Sequence, residues 1–298
     1  MGKDEAMNDV SRYRDRGEPP NVTSIEQRLL WLAREQGVPI NRLRHRFAVI
    51  VLADLMSTIT VDGNDPVFLV KGGTAMLLRF GITRSRLSKD LDAAVASAID
   101  PFVEELRARG REPFHGFTAQ VTKDATIALP GGGIPPRRLA VKMTYKGRSF
   151  ATIKVELSGA EGASASEYDI ATADDLAALG FESDEIDQRL LSLRYQIAQK
   201  LHACTERRDD RPNDRAHDLV DLVLLELAVA DELGPVRAAC EEIFDLRGAH
   251  PWPPTLEPEP HWEPIYVRAA DQLTHVVPTT LTDAVEQVNQ FIARIDRA

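Results

Sequence analysis

The sequence has few of the residues that define several common classes of protein. It contains two cysteines, Cys204 and Cys240, and neither has ligand partners at a useful spacing. A disulfide framework or a cysteine-rich metal site is therefore not expected, and both thiols are predicted to be buried and free. No apolar run reaches the roughly 18 residues that span a bilayer, and the first residues lack the apolar core of a signal peptide. These absences predict a cytoplasmic protein with no membrane partner.

An excess of positive charge is also missing. The chain has 36 lysines and arginines against 46 aspartates and glutamates, a formal net charge of −10. This balance argues against binding that wraps nucleic acid non-specifically, but it leaves room for a local basic patch. Hydrophobic residues make up 43% of the chain, which is typical of a globular protein. The 298 residues suffice for one large or two medium domains.

The most informative stretch of the sequence runs from residue 67 to residue 95. Its apolar run Phe68-Leu69-Val70 predicts a buried strand, and the residues Ala75 to Arg79 favour a helix. Gly72 and Gly73 lie where the strand would pass into the helix. Glycine lets the backbone approach a ligand closely, and the free N–H groups of a helix start attract phosphate. The junction is therefore predicted to bind phosphate.

Two aspartates follow about fifteen residues later on a second predicted strand. Asp90 and Asp92 flank Leu91, and strand side chains repeat every second residue, so both carboxylates are expected on one face. Adjacent carboxylates repel each other, and a magnesium ion shared with substrate phosphates is the usual remedy. Each signal alone is weak, because a Gly-Gly pair is commonly a turn and Asp-x-Asp is commonly a solvated face. Their order and spacing carry the prediction.

Residues 138 to 158 predict an antiparallel hairpin with a turn at Lys146-Gly147-Arg148. The polar face has one carboxylate, Glu156, which we predict to be a third metal ligand or a general base. The alternative is a solvated carboxylate paired with a hairpin lysine. Six cations fall in a span without an acid, and they indicate either RNA contact, which we favour, or a soluble sheet face. They are Arg137, Arg138, Lys142, Lys146, Arg148 and Lys154.

The second half of the chain is predicted to be helical. A small, polar segment over residues 158–166 is a reasonable domain boundary, and one later helix is expected from Asp187 to Glu206. We therefore predict an α+β fold, with a mixed, mainly antiparallel sheet and flanking helices followed by a C-terminal helical bundle. The expected divisions are a flexible tail over residues 1–22, a sheet-containing domain over 23–165 and a helical domain over 166–298.

A charged group stands out in the predicted helical domain. Lys200 has apolar neighbours at helical spacing, and Asp218 and Asp221 lie three residues apart on one face of the next helix. The three side chains form either a salt bridge between helices or a site in which Lys200 reaches substrate phosphate and an aspartate orients it. The sequence leaves open which aspartate has that role. His202 and His217 fit no metal-ligand spacing, so packing is the better interpretation.

These patterns resemble a known enzyme fold. A strand, Gly-Gly, a helix and then Asp-x-Asp on a second strand resemble the signature of the nucleotidyltransferase fold shared with DNA polymerase β. More narrowly, residues 71–79 and 88–92 resemble the AbiEii/AbiGii toxin family, which includes the mycobacterial MenT toxins. Residues 200–203, Lys-Leu-His-Ala, and 215–221, Arg-Ala-His-Asp-Leu-Val-Asp, match that family's Lys-Leu-x-Ala and Arg-x-x-Asp-Leu-x-Asp patterns. The resemblance thus reaches across both predicted domains.

The resemblance implies roles for the residues that match. Residues 23–165 would be the nucleotidyltransferase domain, with the active site in the cleft before the helical domain. Magnesium or manganese would be bound by Asp90, Asp92 and Glu156. The NTP would be bound by Lys71, Gly72, Gly73, Thr74, Ser88 and Lys200. Lys200 and one of Asp218 and Asp221 would be essential, and Ser88 matches a serine that is a modification site in the MenT group.

The implied activity is transfer of a nucleoside monophosphate from an NTP to RNA. In the MenT group the acceptor is the 3′ end of tRNA, which blocks aminoacylation and arrests growth, and the implied partner is an AbiEi-type antitoxin with a DNA-binding winged helix. One alternative is a nucleotidyltransferase that modifies a protein or a small molecule. A second alternative is a binding module without catalysis. The sequence does not specify the NTP, the acceptor or the oligomeric state.

Overall fold

The computed structural model describes most of the chain. The described residues are 13, 16–63, 68–86, 88–96, 98–127, 135–171, 174–181, 188–207, 212–229, 232–271, 273 and 275–298. Much of the predicted tail over residues 1–22, and Val67 at the start of the informative stretch, lie outside them. The described part of that tail ends in helix, and Pro19 is buried. The Pro19 carbonyl accepts a hydrogen bond from Nζ of Lys146 at 3.0 Å.

Ten α-helices and seven strands are found among the described residues, with a 3-10 helix at Gly162–Ser166. The helices are α1 Val22–Gln36, α2 Ile40–Ser57, α3 Gly72–Phe80, α4 Ile99–Arg109, α5 Asp174–Ala178, α6 Leu193–Thr205, α7 Ala216–Ala228, α8 Gly234–Arg247, α9 Trp262–Ala270 and α10 Leu281–Asp296. The strands are β1 Phe68–Lys71, β2 Asp90–Val95, β3 Phe117–Thr126, β4 Arg137–Tyr145, β5 Arg148–Gly159, β6 Tyr168–Ala171 and β7 Gln188–Leu191.

The strands form one sheet in the order β3-β4-β5-β2-β1-β7-β6. The pairs β1–β2, β3–β4 and β4–β5 are antiparallel, whereas β2–β5 and β1–β7 are parallel. The predicted α+β class with a mixed, mainly antiparallel sheet is thus confirmed. Because β2 and β1 are inner strands, the residues that precede the glycine junction and the residues of the aspartate pair each have a neighbouring strand on both sides.

The predicted hairpin is confirmed as β4 and β5. Buried and accessible residues alternate along both strands, as expected when one face of a sheet covers a core. Lys146 and Gly147 both have positive φ, at 45° and 78°, which is typical of the tight turn that matches strand twist. Helix α2 supplies the covering apolar surface, with the Phe47 ring 5.9 Å from that of Phe150.

The prediction of a single helix from Asp187 to Glu206 was wrong at its start. Asp187 lies outside the described residues, the next four residues form β7, and the helix begins at Leu193. Leu190 pairs with Val70 of β1 in the parallel direction. Two consecutive leucines suit a buried strand as well as a helix, so periodicity could not decide between them. Strand β6 likewise interrupts the helices expected beyond residue 166.

The chain divides into two compact units. One contains Met1–Thr74, Ser88–Ala160 and Ile170–Leu190, and the other contains Ala75–Leu87, Glu161–Asp169 and Leu191–Ala298. The domain boundary predicted at residue 165 stays a prediction, because each compact unit contains segments from both sides of that residue. In the second unit α6 packs against α7 and α8, and α7 packs against α9 and α10.

Both cysteines lie in the described part of the chain. Cys204 and Cys240 are both buried and free, as predicted. Burial raises the pKa of each thiol, so neither is a reactive thiolate at neutral pH. None of the helices in the described ranges is long and apolar enough to cross a membrane.

Candidate active site

The glycine junction between β1 and α3 brings the backbone against a carboxylate. Gly72 has a φ of +62°, a conformation that residues with a Cβ seldom adopt. A Cβ on Gly72 would overlap Oδ2 of Asp92 and would lie 3.0 Å from its Cβ. Glycine is therefore required at residue 72 for two reasons, the backbone conformation and the space that the aspartate needs.

Both aspartates of β2 point to the same side of the sheet. Their side chains are half-buried, whereas Leu91 between them is fully buried. Asp92 lies opposite Lys71 on β1 and Glu156 on β5, and Asp90 lies opposite Lys154. The predicted shared face is thus confirmed, and the register adds that a cation from a neighbouring strand flanks each aspartate.

The backbone carbonyl of Asp90 is hydrogen-bonded, whereas one of its carboxylate oxygens has no hydrogen-bond partner among the described residues. Its carbonyl accepts hydrogen bonds from Oγ1 of Thr74 at 2.8 Å and from Oγ of Ser88 at 3.1 Å. Oδ1 of Asp90 is buried and has no hydrogen-bond partner within the described part of the chain. A buried acceptor without a partner is costly, and carboxylate oxygen is the ligand that magnesium prefers. The aspartate pair therefore fits a divalent cation.

Glu156 does not complete a metal site in this conformation. Its Oε2 accepts a hydrogen bond from Nη2 of Arg138 at 2.9 Å. Across the residues that the structure describes, no three histidine, cysteine, aspartate or glutamate side chains are grouped so that they could hold a metal ion. The role of Glu156 as third ligand stays a prediction, and its present partner is the cation opposite it on β4.

The other residues predicted to bind nucleotide are already engaged by protein groups. Nζ of Lys71 donates a hydrogen bond to Oγ of Ser158 at 2.6 Å. The hydroxyls of Thr74 and Ser88 donate to the Asp90 backbone, and Gly73 lies in the first turn of α3. A phosphate at this junction would be bound by backbone N–H groups first, and Lys71 would have to leave Ser158 to join it.

His45 is near the aspartates but was missed by the sequence analysis. Burial lowers its pKa, while the Asp90 carboxylate and a hydrogen bond with the Ser88 backbone oppose that effect. Its Nε2 is buried and has no hydrogen-bond partner among the described residues. His45 lies on α2, about 45 residues before the aspartates, and no local pattern in the sequence connects it with them.

In the second unit Lys200 forms a buried network with both aspartates. Its Nζ donates to Oδ1 of Asp218 and to Oδ2 of Asp221, each at 2.7 Å. Asp221 also accepts two hydrogen bonds from Arg86, at 2.9 Å from Nε and 2.7 Å from Nη2. Burial opposes the charge of Lys200, but the two carboxylates outweigh it and raise the lysine pKa. Burial alone would raise the Asp218 pKa, yet Lys200 and its other cationic neighbours hold it well below its usual range.

Of the two interpretations of Lys200, the salt bridge between helices is confirmed, and the phosphate-binding role stays open. The salt bridge between helices exists, and Arg86 was not expected as its fourth member. Two cations and two carboxylates make the group neutral, which is how buried charges are tolerated. Whether Lys200 also binds substrate phosphate stays a prediction. His202 and His217 are in this unit, and burial lowers the pKa of each.

The six predicted RNA-binding cations divide into two groups. Three have protein partners: Arg137 bonds Asp124 at 2.8 Å, Arg138 bonds Glu156, and Lys146 bonds the Pro19 carbonyl. The other three are exposed and form no ion pair with the described residues. They are Lys142, Arg148 and Lys154. Lys154 and Lys142 share the solvent face of the hairpin, and Lys154 lies beside Asp90.

A glycine junction, a central strand with two aspartates on one face and a mixed sheet define a nucleotidyltransferase fold. MenT4, a nucleotidyltransferase toxin from Mycobacterium tuberculosis H37Rv, has a similar fold, with a TM-score of 0.55 and 16% sequence identity. The match covers 91% of this chain and 90% of that one. No curated protein sequence matches significantly.

The family follows from the sequence. The family model for the nucleotidyl transferase AbiEii toxin of type IV toxin–antitoxin systems matches residues 54–292. The match covers most of the chain, so the protein belongs to the AbiEii family. The resemblance inferred from the glycine, aspartate and lysine motifs is thereby confirmed, and residues before 54, including His45, lie outside what the family model describes.

Proposed function

We propose that this protein is a metal-dependent toxin that transfers a nucleoside monophosphate from an NTP to the 3′ end of an RNA, most simply a tRNA. The observation that carries the proposal is the contact of Gly72 with Asp92, beside an Asp90 oxygen that is buried without a partner among the described residues. A bare backbone next to a pair of carboxylates suits a ligand that combines phosphate with a divalent cation.

Nucleotidyl transfer requires little covalent participation by the protein. The 3′ hydroxyl of the acceptor gives up its proton to solvent as its oxygen bonds to the α-phosphorus. The bond from that phosphorus to the α,β-bridging oxygen breaks, and pyrophosphate leaves with that oxygen. Bound magnesium or manganese would neutralise the charge on the phosphates and the leaving group. Asp90 and Asp92 would hold the cation, and Glu156 would join them after it separates from Arg138. The N–H groups that follow Gly72 would orient the triphosphate.

RNA is favoured over a protein or small-molecule acceptor by the open hairpin face. Lys142 and Lys154 are exposed cations without ion-pair partners among the described residues, and Lys154 lies directly beside Asp90 on the next strand. Phosphates of an RNA strand on this face would be neutralised next to the carboxylates. A small acceptor would need no such cations at a distance from the reacting end.

The family supports the remaining part of the proposal. Members are toxins of toxin–antitoxin systems, so we propose a cognate AbiEi-type antitoxin as partner and inhibition of translation as the outcome of tRNA modification. Participation of Lys200 in the same reaction stays a prediction.

The test is an assay of the purified protein with total RNA, magnesium and each α-labelled NTP in turn. The variant expected to lose activity is Asp92→Asn, and its matched control is Asp62→Asn. Asp62 is an exposed aspartate with a φ of 53°, which asparagine also tolerates. We expect label in a tRNA-sized band with wild type and Asp62→Asn, and a loss of at least about a hundredfold with Asp92→Asn.

Each other outcome has its own meaning. Label in protein or in a small molecule from added lysate would replace RNA with the alternative acceptor. Equal labelling by wild type and Asp92→Asn would remove the aspartates from the mechanism. No labelling with any acceptor, together with undiminished antitoxin binding, would support the binding module without catalysis.

A further inference from the structure

Four charged residues lie in one row across the strands that surround the aspartate pair. Lys71 on β1 is opposite Asp92 on β2, and Asp92 is opposite Glu156 on β5. Glu156 is in turn opposite Arg138 on β4. Residues paired across neighbouring strands share one face of the sheet. The row therefore has a carboxylate on each of its two inner strands and a cation on each of its two outer strands, so its charges cancel.

The two cations lie at opposite ends of the row. Lys71 precedes Gly72, where the triphosphate is proposed to bind, whereas Arg138 is on the open hairpin face with Lys142 and Lys154. Neighbouring strands are about 4.8 Å apart, so three steps place the backbones of Lys71 and Arg138 roughly 14 Å apart. Arg138 is therefore on the side of the aspartates where RNA is proposed to bind, and Lys71 is on the side of the NTP.

Arg138 differs from its neighbour Arg137 in how easily its protein partner can be replaced. The Arg138 side chain is 61% exposed and that of Glu156 is 40% exposed, and the two share one hydrogen bond at 2.9 Å. Arg137 is only 21% exposed, and it makes two hydrogen bonds to Asp124 and an ion pair with Asp100. An exposed ion pair shifts an equilibrium by no more than about fivefold, so a divalent cation can compete with Arg138 for Glu156.

We propose that Arg138 is a metal-dependent RNA contact: Glu156 exchanges Arg138 for a divalent cation held with Asp92, and the released guanidinium binds a phosphate of the acceptor RNA. The proposal rests on the proposed function, because that function supplies both the cation and the RNA. The hairpin offers Arg138 no other acid, since residues 137–155 contain none. Occupation of the metal site and binding of RNA therefore favour each other, and linkage requires the same factor in both directions.

The test compares RNA binding with and without the cation, and it omits NTP so that no transfer is required. Fluorescence anisotropy measures the affinity of the full chain for a short single-stranded RNA with a free 3′ hydroxyl, in saturating Mn²⁺ or in EDTA. We expect Arg138→Gln to bind RNA within about twofold of wild type in EDTA and about three- to fivefold more weakly in Mn²⁺. Lys142→Gln is the matched control, because Lys142 has no ion-pair partner within the described residues. It should weaken binding by the same factor in both conditions.

The exchange at Glu156 is tested without RNA and in a background without the metal site. In a Mn²⁺ titration followed by electron paramagnetic resonance, Arg138→Gln should bind the ion about two- to fivefold more tightly than wild type, because Glu156 is released. When Arg138→Gln is combined with Asp92→Asn, the loss of RNA affinity should become equal in Mn²⁺ and in EDTA. Arg138→Lys keeps the charge and should restore most of the RNA binding in Mn²⁺. Thermal unfolding checks that each variant is folded.

The outcomes separate this proposal from the proposed function. An equal loss of RNA affinity by Arg138→Gln in EDTA and in Mn²⁺, or no loss in either, refutes the metal-dependent contact. Weaker Mn²⁺ binding by Arg138→Gln also refutes it, as does a loss of affinity for tripolyphosphate in place of RNA, which would assign Arg138 to the NTP. The expected pattern without labelling of RNA would support the contact and refute nucleotidyl transfer, and labelling with equal losses would do the reverse. If wild type binds no RNA in either condition, the contact is refuted and the labelling assay alone decides the proposed function.

Discussion

Substitution of Gly72 by alanine tests the part of the site on which the proposed function depends. The change adds one methyl group at a backbone φ of +62°. The methyl would overlap Oδ2 of Asp92, so the carboxylate has to rotate away. Two costs are therefore expected, one from the backbone and one from the displaced side chain.

Both costs can be given a magnitude. A residue with a Cβ in the left-handed region costs about 1–2 kcal/mol, and the reduced freedom of the unfolded chain returns about 0.4–1 kcal/mol. Moving Asp92 off its preferred rotamer adds roughly 0.5–1.5 kcal/mol. The sum predicts a loss of about 0.5–3 kcal/mol in the free energy of unfolding. Activity should suffer more, because misplacing a catalytic group by about 1 Å can cost a hundredfold.

The chain contains a closely matched control. Gly37, at the C-cap of α1, has a φ of +64°, and a Cβ there would meet nothing within 4 Å. Gly37→Ala therefore has the backbone cost without the contact. Urea unfolding of both variants gives the two free energies, and labelled-NTP transfer gives the two rates. We expect Gly37→Ala to lose about 1 kcal/mol and to keep wild-type activity.

The contact with Asp92 can be isolated by a double-mutant cycle. In an Asp92→Ala background the carboxylate is gone and only the contact with the Cβ at 3.0 Å remains, so the stability cost of Gly72→Ala should fall towards that of Gly37→Ala. The reasoning is refuted if Gly72→Ala retains activity, or if its stability cost is the same with and without the carboxylate. Either result would mean that the backbone can move away from Asp92.

Three further predictions concern titration and ion pairing. Burial raises the pKa of Asp54 from 3.8 to about 7, so stability is lost as the pH rises across that interval. In urea unfolding at pH 8, the free energy of unfolding of Asp54→Asn should be higher than that of wild type by on the order of 4 kcal/mol, with little difference near pH 4. Burial lowers the pKa of His202 from 6.5 to about 4, so stability present above pH 6.5 should fall by on the order of 3 kcal/mol towards pH 4, and His202→Gln should flatten that decline. Arg138→Ala should free Glu156 and tighten Mn²⁺ binding by no more than about fivefold, because the pair is partly exposed; weaker binding would contradict a ligand role for Glu156.

Local patterns in the sequence were sufficient for the first half of the site. The strand before Gly72, the helix after it and the alternation of Asp90 with Asp92 all depend on residues within a few positions of one another. Backbone geometry then decides which side chains share a face. For this reason the glycine junction and the aspartate pair could be predicted from the order of the residues alone.

Pairing between distant residues could not be predicted in the same way. The sequence indicated that Lys200 would meet an aspartate, but any of several cations could have been the fourth member of that network. Arg86 is 135 residues from Asp221, and only the tertiary fold brings them together. The strand β7 was missed for the same reason, since its pairing with β1 decides its conformation.

The pairing of Glu156 with Arg138 is an intermediate case, because the sequence contained its explanation. A two-residue turn at Lys146-Gly147 pairs Tyr145 with Arg148, and an uninterrupted ladder would then put Arg138 opposite the buried Val155. Strand alternation forbids that pairing, since opposite residues share a face. One extra residue in β5 resolves the conflict: Phe150 is unpaired, the register shifts between Met143 and Thr144, and Arg138 comes opposite Glu156. The ion pair of Glu156, the predicted third metal ligand, with Arg138 is thus a consequence of this one bulge. The bulge was already required by the sequence, because a two-residue turn and the alternation of buried and exposed residues cannot both hold in an uninterrupted ladder.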